Sequence, residues 1–391
     1  MNRFRISSIL VISIVLLIIG LITIYSAAGK TYFIRQIIWA VIAIISCVTA
    51  YQIPKRIWEN FAIYLWLFIL LLLLVVLVVG TGIGSRRWFS FGFINFQPSE
   101  FAKLTMIFLL ASYWANKKIR FNFHDLFLPI ITTLIYTGLV FLEPDLGTAL
   151  VFIPILAVML FWKDIPVFNI FLLFSPLLSF VFGFSIYFWI PFFLILIIIT
   201  YKRTTIIGWI TVIVVNIIAG LSSPIIWAHL KDYQKARITG FLTPWIDPKG
   251  MNWNLIQSRI AIGSGRLFGK GFLSGTQKKL AFLPNRHNDF IFSTLAEEFG
   301  FIGSVIVLIL YFYLIYQFIK IAQKARDDFS SLTAIGLATV LSYQILVNIG
   351  MVLGLLPITG IALPFLSYGG TSLLFTFITV GIILHIRNKT E

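Results

Sequence analysis

Long apolar runs separated by short polar turns dominate the chain. A helix needs about 20 apolar residues to cross the hydrocarbon core of a bilayer. Runs of about that length predict ten membrane-spanning helices, near 9–28, 33–51, 61–80, 100–115, 126–142, 147–162, 204–224, 288–319, 331–356 and 360–386. Since no stretch alternates polar and apolar residues at period two, these spans are predicted to be helices rather than barrel strands.

One further apolar stretch, residues 166–200, is too long for a single crossing. It contains Pro176, Gly183 and Pro191. One helix of that length would overshoot the bilayer, so the stretch is predicted to form two short helices that turn near Gly183. The predicted fold class is therefore an all-α polytopic membrane protein with ten core helices and an extra helical pair, about twelve spans in all.

Composition excludes a soluble globular protein. Hydrophobic types make up 59% of the 391 residues and charged types only 11%, against roughly 45–50% and about 25% in ordinary soluble domains. Too few polar groups are present to cover a water-exposed surface. Cys47 is the single cysteine, so an intramolecular disulfide is excluded.

The distribution of basic residues predicts the orientation. With a cytosolic N-terminus, the cytosolic segments hold 15 Lys and Arg residues, whereas the short outer loops hold four: Lys30, Arg35, Arg86 and Arg87. Cytosolic loops of membrane proteins carry such an excess of positive charge. Counting 166–200 as one span would reverse every later segment and remove the bias.

The loop of residues 225–287 is the large exception, because it lies outside and carries ten basic residues. Its acids are Asp232 and Asp247 only. Two interpretations stand: the loop rests on lipid headgroups, or it forms a site for an anionic ligand on the outer face. The second is preferred, because ten cations in one loop make a concentrated field.

Glu100 and Lys103 open the fourth span. Their i, i+3 spacing puts both on one helix face, where they can form an ion pair. The pair is either structural, with Lys103 reaching the interface, or it lines a polar cavity, as ionisable groups within membranes usually do. The second hypothesis is preferred.

Two more acidic positions are candidates. Glu143 and Asp145 join two spans on the outside, where they serve either a turn with a helix cap or a pair of carboxylates near an outer mouth. Asp247 precedes Pro248, which is typical of a turn. A carboxylate there could also accept a proton from a substrate hydroxyl, or hold a divalent cation.

Glu297 and Glu298 follow His287 within one apolar run, so they are predicted to lie about 12–15 Å deeper at 1.5 Å per residue. Gly265 and Gly269 permit tight turns and close approach to a ligand, although isolated glycines are a weak signal. The four histidines fall at unrelated positions, which argues against a zinc site.

The chain resembles the SEDS family (shape, elongation, division and sporulation), which includes RodA and FtsW. The resemblance covers nearly the whole chain and is carried by four blocks: Arg87-Trp88 with residues 96–100, residues 144–148, residues 256–300, and NIGMVLGLLPITGIALPFLSYGGTS at 348–372. The motifs GKG, GTQ and FLP are closer to the RodA branch. The family usually has ten spans, so 166–200 is interpreted as an inserted helical hairpin in a single domain, residues 1–391.

The resemblance implies a peptidoglycan glycosyltransferase that polymerises lipid II on the outer face of the bacterial cytoplasmic membrane. It places the essential acid at Asp247 and matches Glu100 and Lys103 to the polar cavity pair. The implied reaction inverts the anomeric carbon. Basic side chains would stabilise the leaving pyrophosphate, with these candidates: Arg86, Arg87, Arg259 and Lys270. A divalent cation, Mg²⁺ or Mn²⁺, is an open option, and no organic cofactor is expected.

The implied partners are a class B penicillin-binding protein that crosslinks the product, and other membrane proteins of the elongation complex; nucleic acid is not expected. Met251-Asn252 and Asn285 depart from the family pattern. Two rival hypotheses remain: a flippase for lipid-linked precursors, and a non-catalytic scaffold for a transpeptidase. A flippase would need a polar path through both leaflets, whereas the predicted membrane-zone charges lie in the outer half.

Overall fold

The computed structural model describes residues 7–81, 86–91, 94–115, 123–201, 203–230, 235, 239, 253–275 and 287–390. Within these residues the chain is mainly helical. The helices are α1 (Ser8–Ala28), α2 (Lys30–Gln52), α3 (Lys55–Asn60), α4 (Ala62–Val79), α5 (Pro98–Trp114), α6 (Phe123–Leu142), α7 (Leu146–Leu150), α8 (Phe152–Trp162), α9 (Val167–Phe182), α10 (Ile186–Tyr201), α11 (Ile206–His229), α12 (Trp253–Ser264), α13 (Ile291–Lys324), α14 (Asp328–Leu353) and α15 (Gly370–Thr390).

Local sequence signals place several helix ends. Ser7 caps α1, because its hydroxyl accepts a hydrogen bond from the Ile9 amide at 3.3 Å. Asp327 caps α14 through the Ser330 amide at 3.0 Å. Gly354 ends α14 in the left-handed region, with φ of 73°, which a residue with a Cβ adopts only at a steric cost.

Eight of the described helices are long and apolar enough to cross a membrane, so the predicted all-α membrane fold is confirmed. Residues 166–200 form two helices, α9 and α10, and α9 ends beside Gly183. Each of these helices has 16 residues, which is short for a full crossing. The total of twelve spans therefore stays a prediction.

A two-stranded hairpin stands beside the helices, which the sequence did not predict. Strands β1 (Phe89–Phe91) and β2 (Ile94–Phe96) pair antiparallel, with Ser90 opposite Asn95. The Thr371 hydroxyl donates to the Asn95 carbonyl at 2.7 Å. Three-residue strands are too short to show an alternating pattern, and this contact places them at the start of α15.

Two ion pairs join turns at one end of the bundle. Lys55 contacts Asp327 at 2.6 Å, and Lys163 contacts Asp328 at 2.5 Å. The turns after α2, after α8 and after α13 therefore lie together. This arrangement agrees with an even number of crossings between residues 163 and 327, as the predicted helical pair requires.

The structure corrects the predicted depth of Glu297 and Glu298. Helix α13 is kinked at Gly300, where φ is 68° and ψ is −165°. The Glu298 carboxylate accepts a hydrogen bond from the Ser26 hydroxyl, and Ser26 lies two residues before the end of α1. The two glutamates are thus near the end of the bundle, and residues 301–324 beyond the kink are long enough to cross.

The predicted span 360–386 is also corrected. Residues 354–369 form an irregular segment, of which residues 361–367 are largely buried, and the helix starts only at Gly370. Hydropathy cannot distinguish such a segment from a helix, because both bury apolar side chains. Irregular backbone is tolerated at membrane depth where protein rather than lipid surrounds it.

Helices α9, α10 and α11 form a peripheral unit, residues 167–229. They pack on one another and reach the rest of the bundle chiefly through α8 and α9. A Cβ added to Gly220 would lie 2.2 Å from the Trp189 ring, so this glycine permits the close approach of α10 and α11. The core of the molecule, in contrast, is built from the remaining helices.

Candidate functional site

A polar cavity of about 120 Å³ lies inside the bundle, at the first turns of α5 and α7. It is called the central cavity below. Its polar lining combines cations, carboxylates, amides and aromatic rings, which come from the hairpin region, four helices, the residues just before α13 and the irregular segment. The principal lining residues are Arg87, Trp88, Gln97, Glu100, Lys103, Asp145, Thr148, Asn288, Asp289, Tyr343, Gln344, Tyr368 and Ser372.

Glu100 and Lys103 form the predicted ion pair on the cavity wall. Pro98 begins α5, and the helical spacing then brings Lys103 Nζ to 2.8 Å from Glu100 Oε1. Lys103 is 2% exposed, and its ammonium group lies 4.5 Å from the centre of the Phe375 ring. Glu100 Oε2 is buried with no hydrogen-bond partner among the described residues, so one carboxylate oxygen remains to accept a bond.

Asp145 serves both functions that its position suggested. As a helix cap, it accepts a hydrogen bond from the Thr148 amide at 3.2 Å. As a cavity residue, it accepts a bond from Gln97 Nε2 at 3.0 Å and lies 3.9 Å from the Arg87 guanidinium. The cap fixes the carboxylate at the start of α7, so its orientation toward the cavity is determined by the backbone.

Glu143 differs from Asp145 in its surroundings. Its side chain is fully buried, is not part of the cavity lining, and has no hydrogen-bond partner for either carboxylate oxygen among the described residues. Burial, assisted by the negative charge of Asp145 and opposed by Arg87, raises the pKa of Glu143 to about 9. The predicted pair of carboxylates at an outer mouth is thus a single cavity carboxylate, Asp145.

Polar side chains hold the irregular segment against the start of α13. The Asn348 amide donates to the carbonyls of Asp289, at 2.9 Å, and Ile361, at 2.7 Å. The Ser367 hydroxyl donates to the Asn288 carbonyl at 2.8 Å. These bonds satisfy carbonyls that helical structure leaves open, and they bring Asn288 and Asp289 to the central cavity.

Sequence reasoning missed several cavity residues, among them Trp88, Asp289, Gln344 and Tyr368. Asp289 had one available signal, since it follows the outer loop directly and belongs to a small set of acids on that side. Tyr368 had none beyond its place in the family-like block 348–372, and Gln344 had none. They meet the cavity only because α14 and the irregular segment pack against α5.

Three of the cations predicted to bind pyrophosphate donate to carbonyls at helix ends, and their contact with pyrophosphate stays a prediction. Arg86 binds the Val78 carbonyl at 3.1 Å near the end of α4. Arg259 binds the Leu353 carbonyl at 3.1 Å at the end of α14. Arg87 binds the Glu143 carbonyl at 2.9 Å after α6. Of these three arginines, only Arg87 also lines the central cavity.

Lys270, the fourth predicted cation, pairs with Glu297 at 2.8 Å, and its amide donates to the Glu297 carbonyl at 3.0 Å. The neighbouring Gly269 lies so close to α13 that an added Cβ would be 2.2 Å from the Glu298 carbonyl oxygen. The close approach expected of these glycines is therefore to α13 rather than to a ligand.

Asp247 and about half of the loop 225–287 lie outside the described residues, so the role of Asp247 stays a prediction. Within the part of the chain that the structure describes, no group of three or more His, Cys, Asp and Glu side chains could hold a metal ion. The predicted Mg²⁺ or Mn²⁺ site therefore stays a prediction.

The cavity favours neutral, hydroxyl-rich ligands over anions. Its described lining carries two cations, Arg87 and Lys103, against three carboxylates, Glu100, Asp145 and Asp289. Amide, hydroxyl and aromatic groups beside them can bind sugar hydroxyls and ring faces. A pyrophosphate would meet a formally negative surface here.

Below the cavity, α5 is packed with apolar side chains. Ile107, Leu110 and Trp114 are each fully buried, and Phe108 stacks on Trp58 with ring centres 5.2 Å apart. This half of α5 is therefore apolar, whereas a polar path through both leaflets would need polar side chains here.

Comparison with known proteins identifies similar chains over the full length. A family model named for FtsW, RodA and SpoVE, described as "Cell cycle protein", matches residues 5–212 and 171–391. The chain is 35% identical over 386 residues to the peptidoglycan glycosyltransferase MrdB of Escherichia coli strain K12, covering 98% of this chain and 93% of that protein. It is 34% identical to stage V sporulation protein E of Bacillus subtilis, covering 97% and 96%.

Solved structures share the fold. A chain of the structure described as "Structural coordination of polymerization and crosslinking by a peptidoglycan synthase complex" superposes with a TM-score of 0.74, at 28% identity, covering 98% of this chain and 97% of that one. The rod shape determining protein RodA of Thermus thermophilus gives a TM-score of 0.67 at 26% identity, covering 100% and 99%.

Proposed function

We propose that the central cavity and the outer loop of this chain bind different parts of one substrate. The chain belongs to the FtsW, RodA and SpoVE family and is a membrane-embedded peptidoglycan glycosyltransferase. The central cavity binds a sugar portion of lipid II, the undecaprenyl-pyrophosphate-linked disaccharide-pentapeptide. The outer loop supplies Asp247 and the cations. The observation that carries this proposal is the lining of the central cavity, where carboxylates outnumber cations and open acceptors such as Glu100 Oε2 remain.

In the proposed reaction, the Asp247 carboxylate accepts the proton of the acceptor sugar hydroxyl. The freed oxygen attacks the anomeric carbon of the donor, the glycosidic bond to pyrophosphate breaks, and the lipid pyrophosphate leaves with the bonding electrons. An α-linked donor thereby gives a β-linked product in a single inversion. Glu100 and Lys103 orient the bound sugar, and Arg87 holds the turn that presents Asp145.

The pyrophosphate binds outside the cavity in this proposal. The ten basic residues of loop 225–287 support this assignment, since they far outnumber the two acids there. The charge distribution also supports a location on the outer face of the bacterial cytoplasmic membrane, with the N-terminus in the cytosol.

The relatives support a partner and a biological role. The similar complex coordinates polymerization with crosslinking, which supports a class B penicillin-binding protein as partner. MrdB and stage V sporulation protein E are almost equally similar to this chain. The motifs GKG, GTQ and FLP favour a RodA-like role in cell elongation. The apolar packing below the cavity argues against the rival flippase hypothesis.

The test is polymerisation of labelled lipid II by the purified chain with its cognate transpeptidase. Wild type is compared with Asp247→Asn and with the matched control Asp232→Asn, which changes the other acid of the loop. Each is assayed with and without Mg²⁺ or Mn²⁺. We expect polymer from wild type and from Asp232→Asn, and a loss of at least about a hundredfold in Asp247→Asn.

Equal polymer from the folded Asp247→Asn protein would move the base to a cavity carboxylate, Asp289 or Asp145. Loss of polymer in Asp232→Asn alone would assign the base to that residue. Absence of polymer from all proteins, together with lipid II flipping in liposomes, would support the transporter hypothesis; absence of both activities would support the scaffold hypothesis.

A further inference from the structure

Residues 266–273 form a short segment, called the wedge below, that packs on the kink of α13. The Phe301 amide donates to the Arg266 carbonyl at 2.8 Å, and the Ile302 amide donates to the Leu267 carbonyl at 3.1 Å. These bonds satisfy amides at the start of the helix beyond Gly300. The wedge is therefore attached to the end of a membrane-spanning helix.

The wedge has a fixed shape. A Cβ added to Gly300 would lie 2.3 Å from the Gly269 nitrogen, so the two backbones touch directly. Arg266 and Leu273 adopt left-handed backbone conformations, with φ of 48° and 64°. Such conformations are unfavourable for residues with a Cβ and persist only where the surroundings impose them.

Large apolar side chains of the wedge project away from the protein. Phe268 is 80% exposed and Leu267 is 58% exposed, and Phe272 and Leu273 are also exposed. In a loop in water, this would be a costly arrangement. Phe301 and Ile302, which follow Gly300 in α13 and bond to the wedge, also have exposed side chains. The wedge therefore extends the apolar exterior of the bundle.

Cations accompany these apolar side chains. Arg266 is exposed, and Lys270 is partly exposed while paired with Glu297. A shallow cavity of about 670 Å³ is lined by residues 264–270, including both cations. Aromatic and aliphatic side chains beside Arg and Lys are typical of segments that lie in a membrane interface with anionic lipids.

A further contact places the wedge at one end of the bundle. The Phe272 ring stacks on Tyr25, with ring centres 6.5 Å apart, and Tyr25 lies in the last turn of α1. The residues that cross the membrane in α1 and in α13 thus both end beside the wedge. A segment at this end of two membrane-spanning helices would lie near the boundary between acyl chains and headgroups.

We propose that the wedge inserts into this boundary, with Leu267 and Phe268 among the acyl chains and Arg266 at anionic phospholipid headgroups. The wedge thereby anchors the loop 225–287 to the bilayer surface. A protein partner is the alternative occupant of this surface. The continuity of the wedge with the apolar exterior at Phe301 and Ile302 favours lipid, and this inference does not depend on the proposed function.

The test measures the depth of residue 268 in nanodiscs that contain the full chain alone. In a Cys47→Ala background, a nitroxide is attached at Phe268→Cys, and its accessibility to oxygen and to a water-soluble nickel chelate is measured. Phe312→Cys gives the mid-bilayer reference, because it is exposed and about 18 Å beyond Gly300 along the helix. Lys389→Cys, exposed near the end of α15, gives the aqueous reference.

Compared with the label at residue 389, we expect the label at 268 to be strongly protected from the nickel chelate and more accessible to oxygen. Its depth should lie between those of the two references. Accessibility to the chelate equal to that at residue 389 would overturn the proposal. In that case a protein partner would be the remaining occupant, because no partner is present in the nanodisc.

A second arm tests the charge. Nanodiscs of phosphatidylcholine are compared with nanodiscs that also contain phosphatidylglycerol. The comparison is made for the labelled protein that keeps Arg266 and for its Arg266→Gln variant. We expect the anionic lipid to deepen the label at 268 in the former, and at least half of that shift to be lost in Arg266→Gln. An equal shift in both proteins would overturn the role of Arg266 while leaving the apolar insertion to be judged by the first arm.

Discussion

The central cavity and the peripheral unit both bury polar side chains among apolar helices, but they treat those side chains differently. In the peripheral unit the polar groups bond to one another. Ser179 donates to the Asn216 carbonyl at 2.7 Å and accepts from Trp189 at 2.8 Å, and the Asn216 amide donates to Ser175 at 2.9 Å. Only the Asn216 Oδ1 atom of this network has no partner among the described residues.

In the central cavity, several acceptors stay open. Glu100 Oε2, Gln344 Oε1 and Asn288 Oδ1 are all buried without a hydrogen-bond partner in the described part of the chain. Buried polar groups are nearly always bonded, because each open one costs free energy. A network that satisfies itself indicates a structural role, whereas a concentration of open acceptors indicates a place for a ligand.

The largest effect is expected from breaking the cavity ion pair. Lys103→Met leaves the Glu100 charge buried without its partner, which is expected to cost about 3–5 kcal/mol of unfolding free energy and to abolish polymerisation. The double variant Glu100→Gln with Lys103→Met is expected to recover most of the stability but none of the activity. Thermal unfolding and lipid II polymerisation of the three proteins measure this. An active double variant would show that the pair is only structural.

The next largest effect is expected at Glu143. This acid is buried outside both the central cavity and the polar network of the peripheral unit. Its pKa is about 9 in the folded protein against an ordinary 4.5, so between these values the folded state holds the additional proton. Stability is therefore expected to fall as pH rises through this range, by up to about 1.4 kcal/mol per pH unit, and to level off above pH 9. Unfolding in detergent between pH 5 and pH 9 measures the slope.

Glu143→Gln is the control for that slope. A glutamine carries no ionisable proton, so this variant should lose the Glu143 contribution and be more stable than wild type near pH 8. An unchanged slope in Glu143→Gln would contradict the assignment.

Two glycines form a matched pair for packing. In Gly147→Ala the new Cβ would lie 2.7 Å from Ile361, next to the cavity, and in Gly220→Ala it would meet Trp189 in the peripheral unit. Each substitution is expected to cost about 1–3 kcal/mol by overpacking. Only Gly147→Ala should also lower polymerisation, on the order of tenfold to a hundredfold, because it displaces cavity residues. Equal activity losses would remove the distinction between the two regions.

Two serines give the smallest effects. Ser179→Ala deprives Trp189 and Asn216 of a buried partner and is expected to cost about 1–2 kcal/mol without changing polymerisation. Ser372→Ala, on the cavity wall, is expected to change stability by less than about 0.5 kcal/mol and to raise KM for lipid II. Unfolding curves and initial rates at several substrate concentrations test both. A raised KM in Ser179→Ala would show that the peripheral unit also affects the substrate.

Much of the site geometry was within reach of the sequence where it depends on neighbours in the chain. The Glu100–Lys103 pair follows from helical spacing, and the Asp145 cap follows from its position before a helix. Arg86 and Arg259 were assigned to the pyrophosphate because basic residues in outer segments suggest an anion. The structure adds that they donate to carbonyls at the ends of α4 and α14, and periodicity does not reveal which helix end lies beside an arginine.

The apolar runs by themselves determined that this protein is a helical membrane protein, because hydrophobic segments of bilayer length have few alternatives in lipid. The spacing of prolines and glycine in 166–200 likewise determined that α9 and α10 are separate helices. Only the tertiary structure decided that α13 bends at Gly300, that residues 354–369 are irregular, and that Asp289, Gln344 and Tyr368 share a cavity. Hydropathy records whether a side chain avoids water, whereas a shared site depends on contacts between segments far apart in the chain.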